Sequence, residues 1–223
     1  MTRRMIIPLL IGLLGGAILI SLGVWQLNRL AWKEAVLADI DARIADAPVS
    51  LPATPDPQAD RYLPVTATGR FTGEQLDVLV SRKQIGPGVR VVEAFETEDG
   101  RRILVDRGFL TDDQRSAPRL SGAATVEGNL HWPDEVDGFT PPPDATTGLW
   151  FARDVAAMAA ALDTEATFIV ARKPTGGEIE PMPVDSSGIP NDHMNYAITW
   201  FSLAAVWLGM TAYLLWRIRQ RTV

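Results

Sequence analysis

Apolar and polar positions divide this chain into three parts. Residues 5–25 and 196–216 are two runs of 21 residues without Asp, Glu, Lys, Arg or His. At 1.5 Å of rise per residue, about 20 residues cover a hydrocarbon layer of roughly 30 Å. A helix satisfies every backbone N–H and C=O within one such segment, so each run predicts a membrane-spanning helix. Helical spacing continues past the first run, because Trp25, Arg29, Trp32 and Val36 recur at i, i+4, i+7 and i+11. This predicts a stalk reaching about Ala45. Pro48, Pro52, Pro55 and Pro57 then predict an extended tether.

Beyond the tether the period shortens. Runs at 65–71, 76–81, 89–97, 102–106, 125–131, 149–152 and 167–171 predict strands. Glu98-Asp99-Gly100 predicts a hairpin turn, with Asp-Gly supplying positive φ values. Gly86-Pro87-Gly88 reads as a turn. So does Arg107-Gly108, with Gly for backbone freedom and Arg for a buried carbonyl or carboxylate. Asp154 caps a predicted helix over 155–162, and 141–143 and 175–188 read as loops.

The fold class that follows is a membrane protein of α+β type. Two transmembrane helices flank a mostly antiparallel β domain, able to curl into a small barrel, with one covering helix. The expected parts are a cytoplasmic N-terminus (1–4), a first transmembrane helix (5–27), a helical stalk (28–47) and a Pro-rich tether (48–60). An extracytoplasmic β-rich domain (61–192), a second transmembrane helix (193–216) and a cytoplasmic C-terminus (217–223) follow. Gly12 and Gly16 lie at depths matching Gly209 and Ala205, which predicts that the spans pack through these small residues.

Charge gives the orientation. Arg3 and Arg4 precede the first span, and Arg217, Arg219 and Arg221 follow the second. All 27 Asp and Glu lie between Glu34 and Asp192, where Lys and Arg number 14, a net charge of −13. Short basic flanks stay in the cytoplasm, and two spans return the chain to the side it left. Both termini are therefore expected inside and the acidic domain outside. Residues 1–25 share their flanks and length with a secretory signal, but no small-x-small cleavage site follows them. An apolar run beginning at Met5 leaves no room for an Arg/Ser-rich transit peptide, which favours a bacterial plasma (inner) membrane and a periplasmic domain.

Several chemistries lack their parts. With no Cys and two His, the chain has no disulfide or thiol chemistry and no convincing zinc or thiolate-copper site. Gly-x-Ser-x-Gly, Walker-type and Gly-x-Gly-x-x-Gly motifs are missing. Asp112-Asp113 and Asp134-Glu135 are expected to be solvated, and His131 beside Trp132 to be structural. An acidic surface argues against nucleic acid. The residues alone point to a membrane-anchored module that is not an enzyme.

Five blocks carry a resemblance. Leu22-Gly23-Val24-Trp25-Gln26-Leu27-Asn28-Arg29 followed by Trp32-Lys33 resembles the Surfeit locus protein 1 family where its first span leaves the membrane. Tyr62-Leu63-Pro64-Val65 with Gly69-Arg70-Phe71, and Leu104-Val105-Asp106-Arg107-Gly108-Phe109, are similar to its next two blocks. The second of these more usually reads Leu-Val-Asn-Arg-Gly-Trp, so Asp106 and Phe109 depart from it. Trp150-Phe151-Ala152-Arg153-Asp154, and Asn191-Asp192-His193 with Tyr196-Ala197-Ile198-Thr199-Trp200-Phe201, complete the set. The resemblance implies an assembly factor for haem-copper cytochrome c oxidase. Such a factor would bind haem a, the nascent haem-bearing subunit, or both, and could meet the haem a synthesis machinery. The alternative is a permanent structural subunit of a respiratory membrane complex.

The resemblance also gives the candidate residues their roles. His193 is expected as the axial ligand of the haem iron. Tyr196, Ala197 and Trp200 share its helical face at i+3, i+4 and i+7, with Ala197 leaving room for a ring that Tyr196 and Trp200 border. Arg29 and Lys33 are expected to pair haem propionates beside Trp25. The same residues fit plain membrane anchoring, with rings at headgroup level and cations reaching to water. A lone His at a helix start likewise fits a hydrogen-bonding role.

Overall fold

The computed structural model describes residues 3–115 and 119–221, so the terminal segments 1–4 and 217–223 lie partly outside the described residues. Two compact units form, one from residues 1–39 with 186–223 and the other from 40–185.

The first unit is a helix pair. Helix α1 (Arg3–Ala45) continues from the apolar run through the predicted stalk without a break. Helix α3 (His193–Gln220) holds the second apolar run. Both are long and apolar enough to cross a membrane by length and composition. On α1, Gly12, Gly16, Gly23, Gln26 and Leu30 are buried, at intervals of four, seven, three and four that keep one seam facing a partner helix. A Cβ on Gly16 would stand 2.7 Å from Leu208, and one on Gly23 would stand 2.6 Å from Phe201, so the helices run antiparallel and touch through glycine.

The α1 half of the small-residue expectation is met and the α3 half is corrected. Gly12 faces Thr211 and Gly16 faces Leu208, whereas Gly209 has no neighbouring atom within 4 Å of where its Cβ would be. Matching depth fixes only translation along the axis. Successive residues turn by about 100°, so Ala204, Leu208 and Thr211 take the seam and Gly209 turns away.

The second unit is a mixed seven-stranded sheet with a helix. Its strands are β1 (Val49–Ser50), β2 (Pro64–Arg82), β3 (Gly86–Thr97), β4 (Arg102–Thr111), β5 (Ala123–Leu130), β6 (Leu149–Trp150) and β7 (Phe168–Ala171). Antiparallel ladders join β2 to β3 and β5, β3 to β4, and β5 to β7. Parallel ladders join β1 and β6 to β2, and β4 to β7. Pairing thus passes from β2 through β3, β4, β7 and β5 and returns to β2.

Four details differ from the sequence reading. The runs at 65–71 and 76–81 are one strand, bent where the register shifts between Phe71 and Gln75. Part of the Pro-rich segment, Val49–Ser50, pairs with Val65 and Thr66. The turn near Gly86 is made by 83–85, where Gln84 has φ 72°, and Gly86-Pro87-Gly88 already belongs to β3. Arg107-Gly108 is also no turn. Gly108 pairs with Val91 and Asp106 with Val92, so Arg107 is the extra residue of a bulge inside β4.

Other expectations hold. The hairpin at 98–100 forms with Gly100 alone at positive φ, 84°, behind a tight turn in which Gly100 N donates to Thr97 O. Helix α2 (Val155–Leu162) begins where Asp154 Oδ1 accepts from Ala157 N at 3.0 Å. Strand alternation builds two cores at once. Ile103, Val105, Ile169 and Ala171 join Val65, Phe71, Phe95 and Leu130 on one face. Leu104, Phe168 and Val170 meet Val155, Met158 and Leu162 of α2 on the other. β7 is consequently buried along its whole length.

Candidate functional site

In the helix pair, the start of α3 meets the buried seam of α1. His193 opens α3, and its Nδ1 lies 2.8 Å from Oε1 of Gln26, a buried side chain one turn beyond Gly23. The amide oxygen can only accept, so Nδ1 is the donor in this contact, and in a neutral ring Nε2 is the nitrogen left to accept. Metal-binding histidines are commonly held this way, with one nitrogen tied to an acceptor and the other left to ligate.

The remaining candidates surround this contact unequally. Trp25 and Tyr196 are more than half exposed, and Trp200 is half-buried. The Arg29 guanidinium rests 4.4 Å from the centre of the Trp32 ring, one turn further along α1. Lys33 follows Gln26 by seven residues and so shares its face. Ala197 differs from expectation. It is 1 % exposed, so its small side chain serves close packing rather than room for a ring. Of the aromatic residues named from the sequence, Tyr196 and Trp25 offer open surface and Trp200 less.

The second unit holds charge where the sequence showed only strands. Glu93, Asp106 and Arg107 are each 0 % exposed. Arg107 Nη1 donates to Glu93 and, at 2.9 Å, to Leu120 O, while Nη2 donates to Thr175 O and Gly176 O at 3.3 and 3.1 Å. Glu93 Oε1 also accepts from Ser121 Oγ and Gly73 N at 2.9 Å each. One guanidinium thereby ties β4 to β3 and to the loops around 120 and 175. The sequence reading gave Arg107 such a partner but missed Glu93. The available signal was a charge inside the apolar run Val91-Val92-Glu93-Ala94-Phe95.

Asp106 anchors a second group. Arg90 Nε lies 3.0 Å from its Oδ2, an ion pair without the angle of a hydrogen bond, and Arg153 Nη1 donates to the same oxygen at 3.4 Å. Burial holds Arg90 below its ordinary value. Arg153 also clasps Glu135 through Nε at 3.0 Å and through its backbone N–H at 2.9 Å. Burial alone would raise the Glu135 carboxyl, but the Arg153 hydrogen bond and charge hold it below the usual range. Glu135 is thus an ion-pair partner and not merely solvated.

His131 is structural, as expected. Its ring stacks on Tyr62 at 5.4 Å, and its buried Nδ1 has no hydrogen-bond partner among the described residues. Burial, then the charges of Arg153, Arg61 and Arg90 against that of Glu135, lowers its pKa from 6.5 to about 4. The unfolded imidazole therefore takes its proton first. Stability from this group is complete above the unfolded value and drains as pH falls from 6.5 towards 4. After discounting for partial exposure, the loss should reach about 2 kcal/mol. Unfolding of the full chain in detergent, followed against pH, should show this limb, and His131→Phe should flatten it.

Comparison with known proteins adds the kinship. The model of the SURF1 family matches residues 13–205. Surfeit locus protein 1 of Rattus norvegicus is 29 % identical over 226 residues, covering 88 % of this chain and 71 % of the rat protein. Surfeit locus protein 1 of Homo sapiens is 27 % identical over 215 residues, covering 83 % and 70 %. A SURF1-like protein of Rickettsia felis is 28 % identical over 209 residues, covering 87 % and 91 %. With five blocks in order and a family match through most of its length, the chain belongs to the SURF1 family.

Proposed function

We propose that this protein is a membrane-anchored assembly factor for haem-copper cytochrome c oxidase, without catalytic activity of its own. It acts by holding haem a, the nascent haem-bearing subunit, or both. Family membership supports the oxidase role, and the bacterial relatives together with the basic flanks support a bacterial plasma membrane. Both termini then lie in the cytoplasm, lipid surrounds the apolar runs of α1 and α3, and the acidic domain lies in the periplasm.

The observation that carries the haem reading is the pairing of His193 with Gln26. The donor set fits one imidazole ligand: Nδ1 is turned to Gln26 and Tyr196 beside it is open, so a neutral ring would offer Nε2 to the iron. When bound, haem supplies an iron centre that takes an imidazole nitrogen. Gln26 fixes the tautomer of His193 and the orientation of its ring. Arg29 and Lys33 supply cations for propionates, and Trp25, Tyr196 and Trp200 supply aromatic surface. One protein ligand gives modest affinity, which suits a carrier that must release its cargo.

The test uses full-length protein purified from cells that make haem a. His193→Ala should lose the Soret and α bands, and Gln26→Leu should weaken haem retention about tenfold while leaving the helix pair intact. An unchanged spectrum and haem content in His193→Ala would reject the assignment.

A further inference from the structure

The loop 131–148, which leads from β5 to β6, presents an apolar surface that neither the cores nor the ion-pair groups use. Phe139 at its tip is 94 % exposed, with Val136 and Phe151 at 49 % and 38 %. Beneath the tip lies a cleft of about 290 Å³ between Pro141-Pro142-Pro143 and the start of α2, floored by Trp150 and Ala152. A single exposed apolar residue is ordinary on a protein surface. This one is held in place. Asp137 Oδ1 accepts from Phe139 N at 2.8 Å and from Thr140 Oγ1 at 3.0 Å, and Asp137 N donates to Thr140 Oγ1 at 2.9 Å. Asp144 closes the far side of the loop by accepting from Thr146 N and Thr147 N at 2.7 and 3.0 Å. Arg153 and Glu135 pin its base. Three consecutive prolines stiffen the wall.

The loop's own charges have one sign, and the two cations that reach it are engaged: Arg153 clasps Glu135, and Arg115 pairs with Asp77 while donating to Thr147 O at 3.4 Å. From 120 to 152 there is no Lys or Arg, while Asp134, Glu135, Asp137 and Asp144 lie within the loop. Backbone hydrogen bonds, from Phe139 in one case and Thr147 in the other, keep the Asp137 and Asp144 carboxyls below their usual range, so both are charged at neutral pH. An aromatic side chain on a hydrogen-bonded turn beside a cleft, in a loop whose own charges are carboxylates, matches the make-up of a binding hot spot. An anionic bilayer is disfavoured by the same charges, and a shallow cleft beside a protruding ring encloses no small molecule.

We infer that the 131–148 loop is a protein-docking surface. Its occupant is a segment of another protein in which Lys or Arg flanks large apolar side chains. The apolar part seats against Phe139 and the proline-walled cleft, and the cations meet Asp134, Asp137 and Asp144. The loop belongs to the second unit and His193 to the first, and the inference does not depend on the haem assignment.

The test places the photo-crosslinker benzoylphenylalanine at 139 in the otherwise intact chain, in cells assembling oxidase, with the same group at exposed Leu79 as control. A protein adduct specific to position 139 is expected, and the sequenced partner peptide should carry Lys or Arg within about four residues of the linked apolar side chain. Replacing Asp134, Asp137 and Asp144 together by Asn keeps the side-chain carbonyls that cap the loop but removes the charge. That variant should cut the adduct yield about fivefold. Adducts only to lipid or to a second copy of this chain, a partner peptide without cations, a yield indifferent to the Asn variant, or no adduct above the Leu79 control would each overturn the inference.

Discussion

Arg107→Met should cost about 3–5 kcal/mol of domain stability, because it strands Glu93 as an uncompensated charge with no route to water. The pair is wholly buried, and the same guanidinium gathers the carbonyls of Leu120, Thr175 and Gly176. Removing it leaves three carbonyls, the Thr175 hydroxyl oxygen and one carboxylate without this donor. For a unit of about this size the loss corresponds to a fall of roughly 10 °C in Tm. The double variant Arg107→Met with Glu93→Gln should recover a large part of the loss. Gln removes the charge while its side-chain carbonyl still accepts from Ser121 or Gly73. Thermal unfolding of the full-length protein in detergent, read by near-ultraviolet circular dichroism, measures both. Equal Tm values for wild type and Arg107→Met, or strictly additive losses in the double variant, would contradict a dominant buried ion pair.

Gly108→Ala should be nearly as damaging, at about 3–4 kcal/mol, from two separate causes. Gly108 has φ 122°, where a side chain strains the backbone. A Cβ there would also stand 2.7 Å from Pro181 Cα, a backbone atom of the segment bridged antiparallel to β4. That bridge is held by Phe109 N donating to Glu180 O at 2.7 Å and by the return bond at 3.0 Å, so the segment cannot retreat without breaking them. Gly138→Ala is the control, since a Cβ there meets nothing within 4 Å. The same unfolding measurement should show Gly138→Ala close to wild type. A Gly108→Ala protein as stable as that control would mean the bridged segment yields more easily than its hydrogen bonds imply.

These two substitutions fall in the block Leu104-Val105-Asp106-Arg107-Gly108-Phe109, which shows where sequence reading stops. Local pattern predicted a strand ending at Asp106 and a turn after it. The strand instead runs on to Thr111, because Arg107 is absorbed as a bulge and its charge is neutralised by a residue 14 positions earlier. Partner choice across a sheet depends on register, and register is a property of the assembled ladders. Glu93 therefore looked like any acid in the chain until β3 and β4 were paired. In the helix pair, the depth of Gly12 and Gly16 was legible from counting, but the α3 residues facing them were not. Rotation about the axis follows from how both seams pack, which brought Leu208 and Thr211 forward and left Gly209 outside.

What the sequence by itself determined is whatever rests on neighbours along the chain. Two apolar runs of spanning length, the stalk to Ala45, the Asp154-capped helix, the Gly100 hairpin and the family blocks all depend on contacts within a few residues. Periodicity and capping encode these directly. Tertiary structure alone decided which distant groups meet: Gln26 with His193, Glu93 with Arg107, Asp106 with Arg90 and Arg153, and α2 with β4 and β7. Each is a pairing of polar or apolar groups whose burial is favourable only once the partner is in place, because an unmatched buried charge or amide costs more than any local preference returns. The sequence could therefore name His193 as a candidate, but only the fold supplied the side chain that holds its ring.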